Sequence, residues 1–273
     1  IDFGPLFQTP SMLFFGAAAQ FGIFATMMVA LALGFSLKEA GAIGVIGAAD
    51  GPTTIYVGSA FGLDKGIMGP LTVAAYSYMS LVPIIQPPVI KALTTKKERQ
   101  IRMDFQQKEV SKLTRILFPI VVTVIAGIIA PESVALIGAL MFGNLIRECG
   151  VLNRLSETAQ TTLANLVTIL LGITIGTTMN AEAFLTKNTL LIMLLGLVAF
   201  IFDTAGGVMF AKLLNLFRKD KINPMVGAAG ISAFPMSARV IQKLAKDEDP
   251  HNFVLMQSVA ANVSGQLGSV VAG

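Results

Sequence analysis

Cysteine and histidine are nearly missing from this chain: Cys149 and His251 each stand alone among 273 residues. A lone cysteine excludes an intrachain disulfide and any cysteine-based metal cluster. His251, in the polar stretch KDEDPHN, has no partner histidine and does not make a metal ligand set. Neither a Ser-His-Asp nor a Cys-His arrangement can be assembled from these residues. Charge is scarce too, at 13% of residues where a soluble domain carries roughly 25%.

What is present is apolar: 54% of residues are hydrophobic and mean hydropathy is +0.73. Long runs at 11–36, 66–90, 116–131, 158–181 and 188–211 are uncharged but for Asp203 in the last. Each reaches or approaches the roughly 18–20 residues that span a bilayer as a helix, 116–131 being the shortest. The expectation is an all-α polytopic membrane protein. The formal charge of +4 does not point to nucleic acid, because eight of the 20 Lys and Arg residues fall within 91–115, between two spans. That cluster reads as a cytoplasmic topology signal in preference to a lipid-binding patch. No flexible linker divides the chain, so 1–273 reads as a single transmembrane domain. It begins at Ile1 without a signal-peptide n-region, which suggests part of a longer protein.

Two segments break the apolar pattern. GAADGPTTIYVG, residues 47–58, sets Asp50 and the Gly51-Pro52 pair inside an otherwise membrane-compatible stretch at 37–63. Pro52 lacks an amide hydrogen and disfavours helix at Gly51, so two half-helices meeting at an unwound turn are expected. NPMVGAAGISAFPMSARV, residues 223–240, repeats the theme with Pro224, Gly227, Gly230 and Pro235. Paired interrupted segments of this kind point to a transport site at the bilayer midplane, formed by two related, inverted halves.

A charge at the centre of a membrane helix costs about 2.5–3.5 kcal/mol. No Lys or Arg lies within ten residues of Asp50 to offset it. Asp50 therefore either binds an ion or caps a half-helix, and the ion is the favoured reading. With no soft ligand near, the ion would be a hard cation, Na⁺ or a proton, held by oxygen. Thr53, Thr54, Tyr56, Asn223 and Ser232 supply hydroxyls and an amide. Tyr76 sits too deep in 66–90 for an interfacial residue and either lines a polar cavity or packs with one hydrogen bond; for Tyr78 packing is favoured. Asp203, beside Gly206 and Gly207, is a second deep acid whose role is left open. Asn144, Asn165 and Asn262 are expected to make interhelical hydrogen bonds.

GAIGVIGAADGPTTIYVG, AAYSYMSLVPIIQPPVIKALTTKKERQIRM, MFGNLIRECGV and NPMVGAAGISAFPMSARV together resemble the β subunit of the sodium-pumping biotin-dependent decarboxylases, which serve oxaloacetate, methylmalonyl-CoA, glutaconyl-CoA and malonate. The resemblance runs through essentially the whole chain, although family members begin upstream with further membrane helices. It implies a membrane subunit that decarboxylates carboxybiotin, consumes a proton and exports Na⁺. The implied partners are a biotin-carrying carboxyltransferase α subunit, a small membrane γ/δ subunit, lipid and further copies of β, in a bacterial or archaeal cytoplasmic membrane. By motif, Asp50 corresponds to the essential intramembrane acid and Tyr76 to a tyrosine of sodium and proton handling. Asn223, Gly227 and Ser232 correspond to second-half sodium-site residues, Ser232 also to the proton path. Asp50, Tyr76 and Ser232 are thus the catalytic candidates, with Na⁺ expected at Asp50, Asn223 and Ser232. The basic residues of 91–115 are expected to help dock the carrier. The rival reading is a sodium- or proton-coupled secondary transporter of organic anions.

Overall fold

Five helical segments are long and apolar enough to cross a bilayer, and they fall on the five apolar runs: Pro10–Ala32, Gly66–Leu93, Lys112–Ile129, Asn153–Thr177 and Lys187–Phe217. The structure is a computed structural model that describes residues 3–103, 109–178 and 186–272. The expected last residues of the fourth run lie outside the described residues. Among those described there are helices and no strands.

In chain order the helices are α1 (Gly4–Gln8), α2 (Leu13–Ala19), α3 (Phe21–Ala32), α4 (Leu37–Val45) and α5 (Gly51–Ala60). Then come α6 (Lys65–Leu93), α7 (Lys96–Arg99), α8 (Lys112–Ile129) and α9 (Val134–Cys149). α10 (Asn153–Thr158) runs through a π turn into α11 (Ala164–Thr178), and α12 (Lys187–Phe217), α13 (Met236–Glu248) and α14 (Leu255–Ala272) complete the set. Short 3₁₀ segments at Ile46–Ala48 and Pro224–Gly230 fall inside the two interrupted stretches. The 31 residues of α12 form the spine, packing against α2, α3, α6 and the Pro224–Gly230 arm.

The first span is not continuous. α2 and α3 meet at Gln20, whose side chain turns back to donate to the Gly16 carbonyl at 2.9 Å. The Ile23 amide is shared between the Gln20 carbonyl and Asp203 Oδ1, each at 3.1 Å. A helix break at membrane depth is tolerated because side chains supply the missing partners.

Each interrupted stretch is a re-entrant hairpin. α4 starts on a capping box made by Ser36 and Glu39, and α5 starts on Asp50. With 9 and 10 residues, the two helices rise roughly 14–15 Å each, half the hydrocarbon thickness. Their outer ends lie together, Lys38 Nζ donating to the Phe61 carbonyl at 3.2 Å. The second hairpin descends through Pro224–Gly230 and returns along α13. Its ends lie together at the other side of the molecule, Asn223 and Glu248 both being tied to the connector after α6. The hairpins thus enter from opposite sides and meet at their tips.

The basic connector is clamped to the second hairpin. Arg99 pairs with Glu248 at 2.7 Å, both side chains mostly buried, and Arg102 pairs with Asp249 at 2.7 Å. Asn223 and Asn252 each donate to the carbonyls of Arg99 and Ile101. Lys212, near the end of α12, bridges to Glu98 at 3.1 Å and donates to the Leu93 carbonyl. Hydrogen bonds from Arg102 hold the Asp249 carboxyl below the usual carboxylate range. The contribution of this pair is therefore complete at neutral pH and is lost only as the pH falls below about 4.

The tips approach only because small residues line their path. Gly207 of α12 and Gly227 of the arm cross backbone to backbone, so a Cβ on either would overlap the other's carbonyl. Gly138 on α9 has open space around it. Gly227→Ala should therefore lower the melting temperature of the purified protein by many degrees or prevent its isolation, whereas Gly138→Ala should leave it within a degree or two or raise it slightly. Thermal unfolding of both variants in the same detergent checks this.

Candidate functional site

Asp50 stands where the hairpins meet. The chain reaches it through Ala49 in the left-handed region (φ 53°), a turn that ends the Ile46–Ala48 segment and points the next residue at α5. Asp50 is the N-cap of α5: Oδ1 accepts the Thr53 amide at 3.2 Å, and Thr54 Oγ1 donates to the Asp50 carbonyl at 2.9 Å. The cap and the helix N-terminus stabilise a carboxylate, each by about 1 kcal/mol. One oxygen of Asp50 is thus used to start a helix.

The other oxygen faces the second hairpin. Ser232 Oγ donates to Asp50 Oδ2 at 2.9 Å, and the Ser232 amide donates to the Ala48 carbonyl at 2.9 Å. Ser269 Oγ lies 3.3 Å from Asp50 Oδ2 and 3.0 Å from Ser232 Oγ, closing a triangle of oxygens. Gln266 Nε2 donates to Ser232 Oγ at 2.6 Å and also reaches the Ser232 carbonyl. Asn262 Nδ2 donates to the Ile231 carbonyl at 2.6 Å, while its buried Oδ1 has no hydrogen-bond partner among the described residues. Asn262, Gln266 and Ser269 follow an i, i+4, i+7 spacing and so share one face of α14.

These groups suit a hard cation. Oxygens 2.9–3.3 Å apart are spaced like neighbouring ligands in a shell ~2.1–2.5 Å from a metal ion. The donor set is carboxylate, hydroxyl and amide oxygen, with no sulfur or imidazole. Among the described residues there is also no cluster of His, Cys, Asp and Glu of the kind that holds a transition metal.

The remaining candidates are placed as follows. The Tyr76 ring lies over Gly51, where an added Cβ would stand 2.7 Å from Cε2; it roofs the turn at Asp50. Tyr78 donates to the Met193 carbonyl and so ties α6 to α12, a packing role. Asn223 is not beside Asp50. It caps the Pro224–Gly230 arm through the Met225 amide at 3.0 Å and donates to the connector carbonyls. The seven-residue 3₁₀ arm, roughly 14 Å long, separates it from the hairpin tip. Gly227 sits midway along that arm at the Gly207 crossing. Asp203 caps α3 from across the core through Oδ1, and its buried Oδ2, which faces Gly47, has no hydrogen-bond partner among the described residues.

Of the three asparagines expected to bridge helices, Asn262 instead ties α14 to the non-helical hairpin tip at Ile231. Asn144 is buried with both side-chain polar atoms unpartnered among the described residues, and Asn165 lies exposed on α11. Sequence reading passed over Gln266 and Ser269, and the polar i, i+4, i+7 stripe on α14 is the signal that marks them.

The division of labour between the two Asp50 oxygens can be read in stability. Asp50→Asn keeps an oxygen for the Thr53 amide, whereas Asp50→Ala removes the cap and strands the Ser232 hydroxyl. Asp50→Ala is expected to be less stable than Asp50→Asn by about 1–2 kcal/mol. Paired thermal melts check this, and equal melting temperatures would remove the capping role.

The model of the Na⁺-transporting oxaloacetate decarboxylase beta subunit family matches residues 1–273. The methylmalonyl-CoA decarboxylase subunit beta of Propionigenium modestum is 53% identical over 271 residues, covering 99% of this chain and 68% of the relative. The oxaloacetate decarboxylase beta chain of Klebsiella pneumoniae is 51% identical over 277 residues, covering 99% of this chain and 63% of the relative. The glutaconyl-CoA decarboxylase subunit beta of Acidaminococcus fermentans is 51% identical over 271 residues, covering 99% and 72%. The chain therefore spans about two thirds of the length of the curated relatives it matches.

Proposed function

The chain belongs to the family of Na⁺-transporting oxaloacetate decarboxylase β subunits, and on that basis we propose that it forms the ion-handling membrane part of a primary sodium pump. The observation that carries this reading is the oxygen triangle of Asp50, Ser232 and Ser269 at the meeting point of two re-entrant hairpins from opposite sides of the membrane. The opposed hairpins also support an origin in two inverted halves.

In this reading the end bearing the basic connector faces the cytoplasm. Carboxybiotin arrives there on a carboxyltransferase α subunit, and a small membrane γ/δ subunit and further β copies complete the assembly. Loss of CO₂ breaks the N–C bond of the carboxybiotin ureido group, and the ring nitrogen takes up one proton. The chemistry needs a proton and a water-poor site and no resident metal. Asp50, Ser232 and Ser269 hold the Na⁺ that is carried, with Asn262 Oδ1 as a further oxygen at the hairpin tip. Ser232 and Tyr76, the hydroxyl beside the carboxylate and the phenol that roofs its turn, handle the proton. Asn223 and Gly227 enter the sodium path by fixing the arm that presents Ser232, in place of ligating the ion beside Asp50. Two of the basic side chains expected to dock the carrier, Arg99 and Arg102, are engaged with Glu248 and Asp249. Docking falls to the lysines around them.

The test uses the full-length subunit with its partners in liposomes, following sodium uptake and CO₂ release together. Asp50→Asn is expected to lose both by more than tenfold with the complex still assembled. Sodium uptake that persists in the variant would remove Asp50 from the ion path. Sodium transport by the β chain without any biotin partner would replace the pump with an organic-anion carrier.

A further inference from the structure

Beyond Asp50, on the side away from the basic connector, lies a cavity of about 280 Å³ between α5, the turn joining α8 to α9, and the end of α14. Its lining includes Val57 and Val270, both buried at 3% and 7% exposure. Val57 is one helical turn past Thr53, whose amide caps Asp50 Oδ1, and Val270 directly follows Ser269. The floor of the cavity is therefore about two turns, ~10 Å, along α5 from Asp50, and on α14 it begins at the residue after Ser269. Its rim carries exposed Glu132 in the Pro131–Ser133 turn and Ala60 near the end of α5. The Tyr56 hydroxyl donates to the Glu132 carbonyl at 3.3 Å and ties that turn to the hairpin.

We propose that this cavity is the outer vestibule through which the cation leaves Asp50, with Val57 and Val270 as the gate and Glu132 as the charge that draws the ion outward. The proposal rests on the sodium-pump reading and goes beyond it by naming the route and its gate. Three features argue for it. The cavity adjoins α5 and α14, the helices that carry two corners of the oxygen triangle, Asp50 and Ser269. Its floor is made of two branched apolar side chains, and an apolar constriction excludes a hydrated ion until it widens. Its rim bears a carboxylate, which raises local cation concentration at a mouth. A small outward swing of the α5 arm about its connection at Gly62 (φ +68°) would open a path past Val57 and Val270. The Asp50 end of the arm stays tied to Ser232 until the ion replaces that bond.

The experiment uses the full-length chain in its complex, in a background with the native cysteines replaced, reconstituted in vesicles of known orientation. Ala60→Cys and Val270→Cys are exposed to a membrane-impermeant trimethylammonium thiosulfonate from either face. Both are expected to react only from the face opposite the basic connector, and their modification should stop sodium release. Glu132→Gln should raise the Na⁺ concentration that inhibits from that face by about threefold or more, a larger change than at the basic face. Reaction from the basic face would overturn the proposal. So would failure to react with the impermeant reagent while a lipid-soluble maleimide labels both cysteines, since the cavity would then open to lipid. An unchanged inhibitory concentration in Glu132→Gln would refute the drawing role of that carboxylate. The labelling pattern does not depend on decarboxylation. Sided labelling without any CO₂ release by the unmodified complex would sink the pump reading and leave the vestibule standing.

Discussion

The hydrogen bond from Ser232 to Asp50, with the amide of Ser232 on the Ala48 carbonyl beside it, is the contact on which the rest of the structure turns. Each hairpin is too short to cross the membrane, and each ends in a tip whose backbone groups have no helical partner. In hydrocarbon such groups cost several kcal/mol each. Neither tip can therefore persist at that depth alone. Joined, Ala48 satisfies Ser232, Asp50 starts α5, and Asn262 covers the Ile231 carbonyl. The glycines serve the same contact. Gly47 lies against Asp203 and Ala199, Gly51 under Tyr76 and Gly227 on Gly207, so that three backbones come within touching distance of one another.

The sequence makes some of this legible and hides the rest for physical reasons. The five spans are visible because bilayer thickness fixes the length of an apolar run, and all five appear. The break at Asp50 is visible because Gly51-Pro52 is a local instruction against helix. The break at Gln20 is not, because no local residue dictates it; there Asp203, 180 positions away, shares the Ile23 amide with the Gln20 carbonyl. The same distance in sequence hides Ser269 from Asp50, and a serine in an apolar helix is ordinary until its partner is seen. Asn223 is the opposite case. Its motif places it with Ser232, yet its amide is committed to the carbonyls of Arg99 and Ile101.

Those same commitments change how the basic connector is to be counted. The sequence offers eight basic residues in 91–115 as one block. In the fold the block is divided, for Arg99 and Arg102 bind the acidic end of the second hairpin and Lys212 reaches in from α12 to Glu98. The Arg99–Glu248 pair is shielded, so neither member could be lost without leaving an uncompensated charge near the membrane surface. The connector is thereby a mechanical part. A displacement of it would pass through Asn223 to the arm that carries Ser232.

That coupling gives meaning to the way Asp50 divides its two oxygens. A carboxylate with both oxygens locked into backbone caps would hold the hairpin but would have nothing to offer an ion. One with both oxygens free would bind an ion but would leave α5 without a start and the tip without a partner. Here Oδ1 is committed to the backbone, and Oδ2 is held only by hydroxyls. A hydroxyl can turn its proton away and present an oxygen lone pair without any movement of the main chain. In the proposed pump, an arriving cation would replace the Ser232 and Ser269 hydrogen bonds with oxygen contacts to the same atoms, while Thr53 keeps the helix in place. On that proposal, exchange of the ion would be a rotation of two side chains joined to a shift of one hairpin arm, and the bond that assembles the fold would be the one the ion displaces.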